Sequence, residues 1–466
     1  MPVFHHRFEL PHSPREVYGW HERPGAFSRL TPPWESVRVV SRTGGLELGS
    51  RITLCLRKGP VPITWEVEHV EVDEGRGFVD EQVRGPFRRW RHEHRFSEAG
   101  TGRTIVEDRV EWEPPLGSLG RALSAPWIEA MLQQLFAFRA RRLTGDLELH
   151  RRYGPGEGRV VAVTGSTGMI GRNLVNLLRS GGYRVLEISR SRRSDPDAVQ
   201  WSPAQGALES SALEEIDAAV HLAGESIAGV RWTGAKKERI LRSREVGTRL
   251  LAGVLAELRD SVGAFVSASG VNYYGNRGDE RLDEDSGSGE GFLAEVCRRW
   301  ERATDPARAA GIRTIRLRTG GVLTPEGGLL GTMLLPFRTG VGGKVGSGRQ
   351  FMSWIDLDDH TGLILHALRT VELDGAVNAV APGPVQNATF TRTLGKVLRR
   401  PTVLPLPAPA VRTLMGEMGE ELLLSSQRVS SAKAEGSGYN FRFPELEDSL
   451  RHQLGRTSRT DSGGGE

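Results

Sequence analysis

The chain has 466 residues, 38% hydrophobic and 26% charged, a globular composition too long for one ordinary core, so two or three domains are expected. A formal charge of +4 is small for this length, and the pI of about 9.2 reflects an excess of Arg without a Lys-rich run or an aromatic-basic stripe, which argues against nucleic acid as a partner. Two cysteines, Cys55 and Cys297, suggest neither a disulfide framework nor a thiolate metal cluster and suit a reducing cytoplasm, and no uncharged apolar run reaches the roughly 18 residues of a membrane span.

The N-terminal "MPVFHHRFEL" reads as neither a signal nor a transit peptide. Residues 1–150 then alternate polar and apolar side chains in "ESVRVVSR", "SRITLCLRKG", "ITWEVEHVEV" and "GRTIVEDRVEW", the period-two signature of antiparallel strands joined by turns. "SPREVYGWH" predicts a short helix opening at Ser13, and Trp127, Met131, Leu132, Leu135, Phe136 and Phe138 predict a long amphipathic helix at the end. A curved sheet wrapped around that helix would leave a cavity. In "WRHEHRF", Trp90, His92, His94 and Phe96 share one strand face. A His-x-His pair can bind metal, but no third ligand is evident, so a cross-strand stack facing the cavity is expected and no metal site is assigned. The order of these elements resembles the α+β helix-grip superfamily of polyketide cyclases and START domains (SRPBCC). That resemblance implies a hydrophobic small-molecule ligand.

"RRYGPGEGR" marks a linker over residues 151–158. The next stretch, "VVAVTGSTGMIGRNLVNLLRSGGYRVLEISRS", reads strand, glycine-rich turn, helix, strand. Gly165, Gly168 and Gly171 sit at the spacing that permits a tight turn, a close approach of backbone to a pyrophosphate, and tight packing of helix on strand. With Ser166, Thr167, Met169 and Ile170 they would hold the phosphates of a dinucleotide at a helix N-terminus. The second strand ends in Ser189, Arg190 and Ser191, followed by Arg192 and Arg193, without the terminal acid that grips the ribose of NAD; NADP(H) is the expected cofactor, the alternative being a solvated basic loop. "IDAAVHLAGES" predicts another strand whose end, Leu222, Ala223, Gly224 and Glu225, lines the cofactor crevice. "GAFVSASGVNYYG", "TIRLRTGGVLTPEGG" and "FMSWIDLDDHTGLILHAL" continue the alternation of strand, loop and helix, so a doubly wound parallel sheet is expected over residues 159–400. Asp356 and Asp359 in "DLDD" suit helix caps and turns better than a Mg²⁺ site. Residues 401–455 suggest a small, mostly helical α+β cap, and residues 456–466 a disordered tail.

"TGSTGMIG", "HLAGESI", "SASGVNYYG", "GFLAEVCRRWE", "LRTGGVL" and "GSGRQFMSWIDLDD" occur in an order that resembles the atypical, epimerase-like branch of the extended short-chain dehydrogenase/reductase (SDR) superfamily. The resemblance implies a Rossmann-type domain and places Ser269 where a substrate oxygen is oriented. It also implies a Tyr-x-x-x-Lys pair on the following helix, but the register set by Trp300 and Glu301 puts Leu293 and Cys297 there. Tyr273 or Tyr274, just past Ser269, is the candidate acid. Arg349 and Trp354 fall where this superfamily builds its substrate pocket, and Trp232, Lys236, Ser243 and Arg244 open a helix expected beside it. Two functions follow: an NADP(H)-dependent oxidoreductase or epimerase-like enzyme acting on a small molecule, or a non-catalytic protein that binds NADP(H) and a ligand and acts through a partner.

Overall fold

The computed structural model describes residues 1–59, 61–191, 195–229 and 231–456. They form two compact units, one built on Met1–Pro155 and the other on Gly156–Leu178 and Tyr183–Gln453.

The first unit contains β1 (Val3–Leu10), α1 (Pro14–Glu22), α2 (Ala26–Arg29), β2 (Ser36–Thr43), β3 (Arg51–Lys58), β4 (Val61–Asp73), β5 (Gly77–Arg84), β6 (Arg89–Gly100), β7 (Arg103–Glu113) and α3 (Gly117–Tyr153). The seven strands make one antiparallel sheet in the order β1-β7-β6-β5-β4-β3-β2. Register shifts in the β2–β3, β4–β5 and β6–β7 pairs curl it, because an extra residue on one strand bends that strand. The helix opening at Ser13 forms as the sequence predicts: Ser13 accepts from the Glu16 amide, and Glu16 reaches back to the Ser13 amide at 2.8 Å.

The long helix α3 lays Leu132 and Phe136 against the sheet, where Phe136 stacks on Phe4 with ring centroids 5.4 Å apart, while Phe138 meets Trp34 edge to face at 4.9 Å. Each such large apolar side chain contributes roughly 1.5–3 kcal/mol by leaving water. Trp127, expected on the buried face, is instead 61% exposed, with Leu123 and Leu119 also exposed one and two turns before it. The helix also continues through Tyr153, three residues into the stretch read as linker. Between sheet and helix lies a cavity of about 530 Å³, lined by apolar side chains that include Leu54, Trp65, Phe87 and Leu135, and by polar ones that include Asp80, His92 and Arg139.

The second unit begins with β8 (Val160–Thr164), α4 (Met169–Ser180), β9 (Arg184–Ser189), β10 (Ala198–Ser202), β11 (Ala207–Leu208), β12 (Ala218–His221), α5 (Gly234–Glu257), β13 (Ala264–Gly270) and β14 (Arg281–Leu282). It continues with α6 (Phe292–Arg302), α7 (Asp305–Ala309), β15 (Arg313–Thr319), β16 (Gly321–Leu323), α8 (Gly328–Arg338), β17 (Phe351–Met352), β18 (Trp354–Asp356), α9 (Leu357–Arg369), β19 (Gly375–Ala379), β20 (Val385–Gln386) and α10 (Asn387–Leu398). It ends with α11 (Ala408–Met415), α12 (Glu417–Gly419), β21 (Arg428–Val429), α13 (Ala432–Gly436) and α14 (Leu446–Gln453). The main sheet runs β11-β10-β9-β8-β12-β13-β15-β19, parallel except for the edge strand β11. The order reverses between β8 and β12, so a crevice opens where their carboxyl ends part. Strand β8 reads as a continuous apolar run because both its faces are covered: Val161, Ala162 and Val163 are all at most 2% exposed.

The C-terminal α+β segment is fastened by three buried aspartates of the "DLDD" stretch. Asp356 caps α9 through the Asp358 amide and accepts from Ser449 and Gln453; Asp358 pairs with His452 at 3.0 Å; Asp359 accepts the Arg442 and Phe443 amides at 2.7 and 2.9 Å. The carboxylates are thus caps and staples, as their spacing suggests.

Candidate functional site

At the switch point the three glycines differ in what their backbone must clear. Gly165 has φ +70°, and a Cβ there would lie 2.8 Å from the Leu222 carbonyl carbon and 2.9 Å from the Ala223 nitrogen. A Cβ on Gly171 would lie 2.1 Å from the Gly165 oxygen, so α4 packs against the turn at a distance only glycine permits. Gly168 is exposed between them. Thr164 ties the ends of β8 and β12 together: its hydroxyl accepts the Leu222 and Ala223 amides at 3.1 and 3.3 Å and meets His221 Nδ1 at 2.7 Å. Burial, with Arg244 adding to it, pushes His221 down to about 3, so it stays neutral.

The turn fits a pyrophosphate on three counts. The glycines clear the approach, the N-terminus of the twelve-residue α4 points its free amides there, and the buried Ser166 Oγ has no hydrogen-bond partner among the described residues. Thr167 is exposed beside it, and Met169 and Ile170 begin the helix half-buried. Arg190 is exposed immediately after β9, where Ser189 Oγ turns back to the Ser191 carbonyl at 2.8 Å; Arg192 and Arg193 lie outside the described residues.

Beyond β12, Glu225 is already engaged. Lys236 Nζ is 2.8 Å from its carboxylate and holds it below the usual carboxylate range, while Arg244 donates to its backbone oxygen at 2.9 Å and Ser243 accepts its amide at 3.0 Å. The N-terminal half of α5 thus meets the loop after β12 through Lys236, Ser243 and Arg244.

Ser269, at the end of β13, donates to Glu301 Oε1 at 2.8 Å. Glu301 in turn grips Arg318 of β15 through two bonds, 2.9 and 3.0 Å, with both side chains about 5% exposed. Arg318 also donates to the Tyr274 hydroxyl at 3.0 Å, which donates to Asn378 at 2.7 Å. Tyr274 is fully buried, and burial pushes its hydroxyl up to about 12 despite the guanidinium. Tyr273 is half-buried, its ring centroid 3.5 Å from the Arg318 guanidinium carbon. Leu293 and Cys297, at the positions of the absent Tyr and Lys, face inward from α6, and burial raises the Cys297 thiol to about 11. The structure therefore brings Ser269, Tyr273 and Tyr274 together, but through a buried ion pair.

Arg349 is exposed on the loop before β17. Trp354, by contrast, is completely buried, its indole N–H donating to the Gly383 carbonyl at 2.8 Å, and occupies a core position. Sequence reading missed Arg318 and Asn378 and used Glu301 only as a register mark. One signal was present: a charged residue in the interior strand "RTIRLRT" demands a buried partner.

Three family models match the chain: "NAD dependent epimerase/dehydratase family" over residues 161–380, "Polyketide cyclase / dehydrase and lipid transport" over residues 10–137, and a domain of unknown function, DUF1731, over residues 406–453. "Epimerase family protein Mb2239" of Mycobacterium bovis is 40% identical over 297 residues, which is 64% of this chain and 98% of that one. The crystal structure of the nucleoside-diphosphate sugar epimerase from Corynebacterium glutamicum superposes with a TM-score of 0.79 at 33% identity, covering 97% of this chain and 90% of that one. Human epimerase family protein SDR39U1 (isoform 2), crystallised with NADPH, gives a TM-score of 0.58 at 36% identity, covering 63% of this chain and 99% of that one. With its glycine turn at the switch point of a doubly wound sheet and its match to nearly the full length of such relatives, the chain belongs to the NAD-dependent epimerase/dehydratase family.

Proposed function

We propose that the second unit is an NADP(H)-dependent oxidoreductase or epimerase-like enzyme acting on a small polar molecule, and that the first unit binds a hydrophobic ligand. The observation that carries the cofactor assignment is the pairing of a pyrophosphate-sized glycine cradle with a strand end that offers Arg190 and no acid. NADPH in the human relative supports the same choice, and the name of the Corynebacterium relative suggests a nucleoside-diphosphate sugar as substrate class.

A bound nicotinamide would supply the hydride acceptor or donor. Gly165, Ser166, Thr167, Gly168, Met169, Ile170 and Gly171 would hold the pyrophosphate, Arg190 the 2′-phosphate, and Leu222, Ala223 and Gly224 the adenosine side. Glu225, paired with Lys236, would line the same crevice. Ser269 has its proton committed to Glu301, so its oxygen remains as an acceptor that orients a substrate hydroxyl. Tyr273, the half-buried member of the pair, would exchange the proton, while Tyr274 keeps Arg318 in place. Arg349 would meet the substrate's anionic end.

A second reading is favoured by one feature. Ser269 and Tyr274 are both bound into the Glu301–Arg318 pair, and no lysine follows on α6, an arrangement that suits a protein which binds NADP(H) and a ligand without turnover. Fluorescence titration with NADPH and NADH tests the cofactor: Arg190→Ala is expected to weaken NADPH alone, by about tenfold or more, for the loss of one charge-assisted contact. Equal loss for both nucleotides, or binding of neither, would remove the proposal. Hydride exchange with nucleoside-diphosphate sugars then separates the two readings. A cytoplasmic location is proposed with them; among the described residues no helix is long and apolar enough to cross a membrane.

A further inference from the structure

Beside the His-x-His pair of the first unit stands a carboxylate that the sequence alone does not reveal. Strand pairing places Asp80 of β5 opposite His92 of β6, and Asp108 of β7 opposite His94. The four side chains share one face of the sheet, and His92, His94 and Asp108 are less than 9% exposed. The two carboxylates take different sides of the imidazoles. Asp108 Oδ1 lies 3.0 Å from His92 Nε2 and 2.9 Å from His94 Nδ1, hydrogen-bond distances for two ring N–H groups. The neutral tautomers that direct both protons at Asp108 leave lone pairs on His92 Nδ1 and His94 Nε2. Both face Asp80 Oδ2, at 3.9 and 3.6 Å. Those separations are too long for hydrogen bonds and near the roughly 3.3–3.5 Å between neighbouring donors of a tetrahedral zinc ion with bonds of about 2.0–2.1 Å. The other oxygen of Asp80, Oδ1, lies 2.7 Å from His69 Nδ1.

In those tautomers two lone pairs and a carboxylate oxygen converge in a buried space, an arrangement that either a proton on His94 or a bound cation balances. We propose that Asp80, His92 and His94 form a binding site for a divalent transition-metal ion, with Asp108 as the outer carboxylate that fixes both imidazole tautomers. Two histidines and one carboxylate leave a coordination position open. Asp80 and His92 also line the apolar cavity, as does Arg139, so that position faces the cavity. The ligand class it takes is a small molecule with an apolar body and one anionic oxygen, which the ion and Arg139 would share. This site is independent of the dinucleotide reading of the second unit.

The experiment uses the untagged full-length chain, stripped with a chelator and titrated with Zn²⁺ by calorimetry and with Co²⁺ by visible absorption. One equivalent per chain is expected, with a Co²⁺ d–d spectrum free of thiolate charge transfer, because neither cysteine belongs to the cluster. Asp80→Asn and His94→Gln abolish stoichiometric binding, and Asp108→Asn, which removes only the outer carboxylate, weakens it about 10–100-fold. An aromatic carboxylate such as naphthoate shifts the Co²⁺ bands. Should the variants fail to fold by circular dichroism, X-ray absorption of the zinc-loaded wild type still reads two imidazoles and oxygen donors. A folded wild type that takes up neither ion overturns the proposal and leaves a proton in the gap. Undiminished uptake by Asp80→Asn and His94→Gln, or a sulfur donor in the absorption spectrum, overturns it by placing the ion elsewhere. Unmoved Co²⁺ bands overturn the open position.

Discussion

Ser269 and Arg318 are held by one carboxylate oxygen: Glu301 Oε1 accepts the serine hydroxyl at 2.8 Å and the guanidinium Nε at 2.9 Å. The serine at the end of β13 is therefore positioned by an ion pair bridging α6 and β15, both ends of which are nearly inaccessible to water. In this second unit, the geometry of the candidate site and the stability of the fold are coupled through a single side chain.

Glu301→Gln separates those roles. The amide keeps the shape but leaves the Arg318 charge buried without a counter-charge, at a cost of about 3–5 kcal/mol. Ser269→Ala removes one hydrogen bond and should cost about 1 kcal/mol. Urea unfolding of the second unit reads both. Equal midpoints for the two variants would show that the ion pair does not carry the stability assigned to it.

Gly168→Ala and Gly171→Ala should differ in kind. A methyl at 171 must displace the Gly165 carbonyl, which would be 2.1 Å away, and overpacking of this sort costs about 1–3 kcal/mol. At 168 the nearest atom is the same oxygen at 3.2 Å, so the fold tolerates the methyl while the exposed face of the turn is partly filled. Thermal melting should fall for Gly171→Ala and hold for Gly168→Ala, whereas NADPH affinity should drop for both. Unchanged NADPH affinity in Gly168→Ala would argue that the phosphates do not sit on this turn.

His221 makes the second unit acid-sensitive. Its value is about 3 when folded and 6.5 ordinarily, with burial the chief cause. Above pH 6.5 both states are neutral and its contribution is fully present. As pH falls below 6.5 the unfolded chain takes a proton that the folded chain refuses, so stability declines down to about pH 3, by about 2 kcal/mol at pH 5. Asp359 works the other way. Burial raises it to about 6 from 3.8, so the folded state gains stability as pH falls through that interval. The comparison must therefore be between wild type and His221→Gln, which retains a polar partner for Thr164 without titrating. Denaturant midpoints of the variant should fall less steeply between pH 7 and pH 5; parallel curves would remove His221 as the sensor.

Asp359→Ala should loosen the C-terminal segment. It deprives the Arg442 and Phe443 amides of their acceptors, and each buried orphan costs about 1–3 kcal/mol. Hydrogen exchange at those two amides should accelerate well before the main sheet opens. Protection as slow as in wild type would mean that Tyr439 and the remaining contacts hold the segment unaided.

The legible features of the sequence are local. Period-two alternation announced the antiparallel strands, Ser13 and Glu16 announced their helix, and the spacing of Gly165, Gly168 and Gly171 announced a turn whose clearances the structure measures at 2.1–3.2 Å. Each depends on residues within a few positions of one another, where dihedral preference and short-range hydrogen bonding set the outcome. The amphipathic reading of α3 failed at Trp127 for a related reason: helical period tells which residues share a face, not how far the covering sheet extends.

By itself, then, the sequence determined the two architectures, the cradle at the switch point and the absence of a Tyr-x-x-x-Lys pair. Only the tertiary structure decided which side chains meet across long separations. It buried Tyr274 against Asn378, 104 residues away, brought Glu301 to Arg318 to secure Ser269, made Trp354 a core residue, and set Asp80 opposite His92. Such meetings follow from strand order and register, which are set by the packing of whole elements, and no single spacing along the chain encodes them.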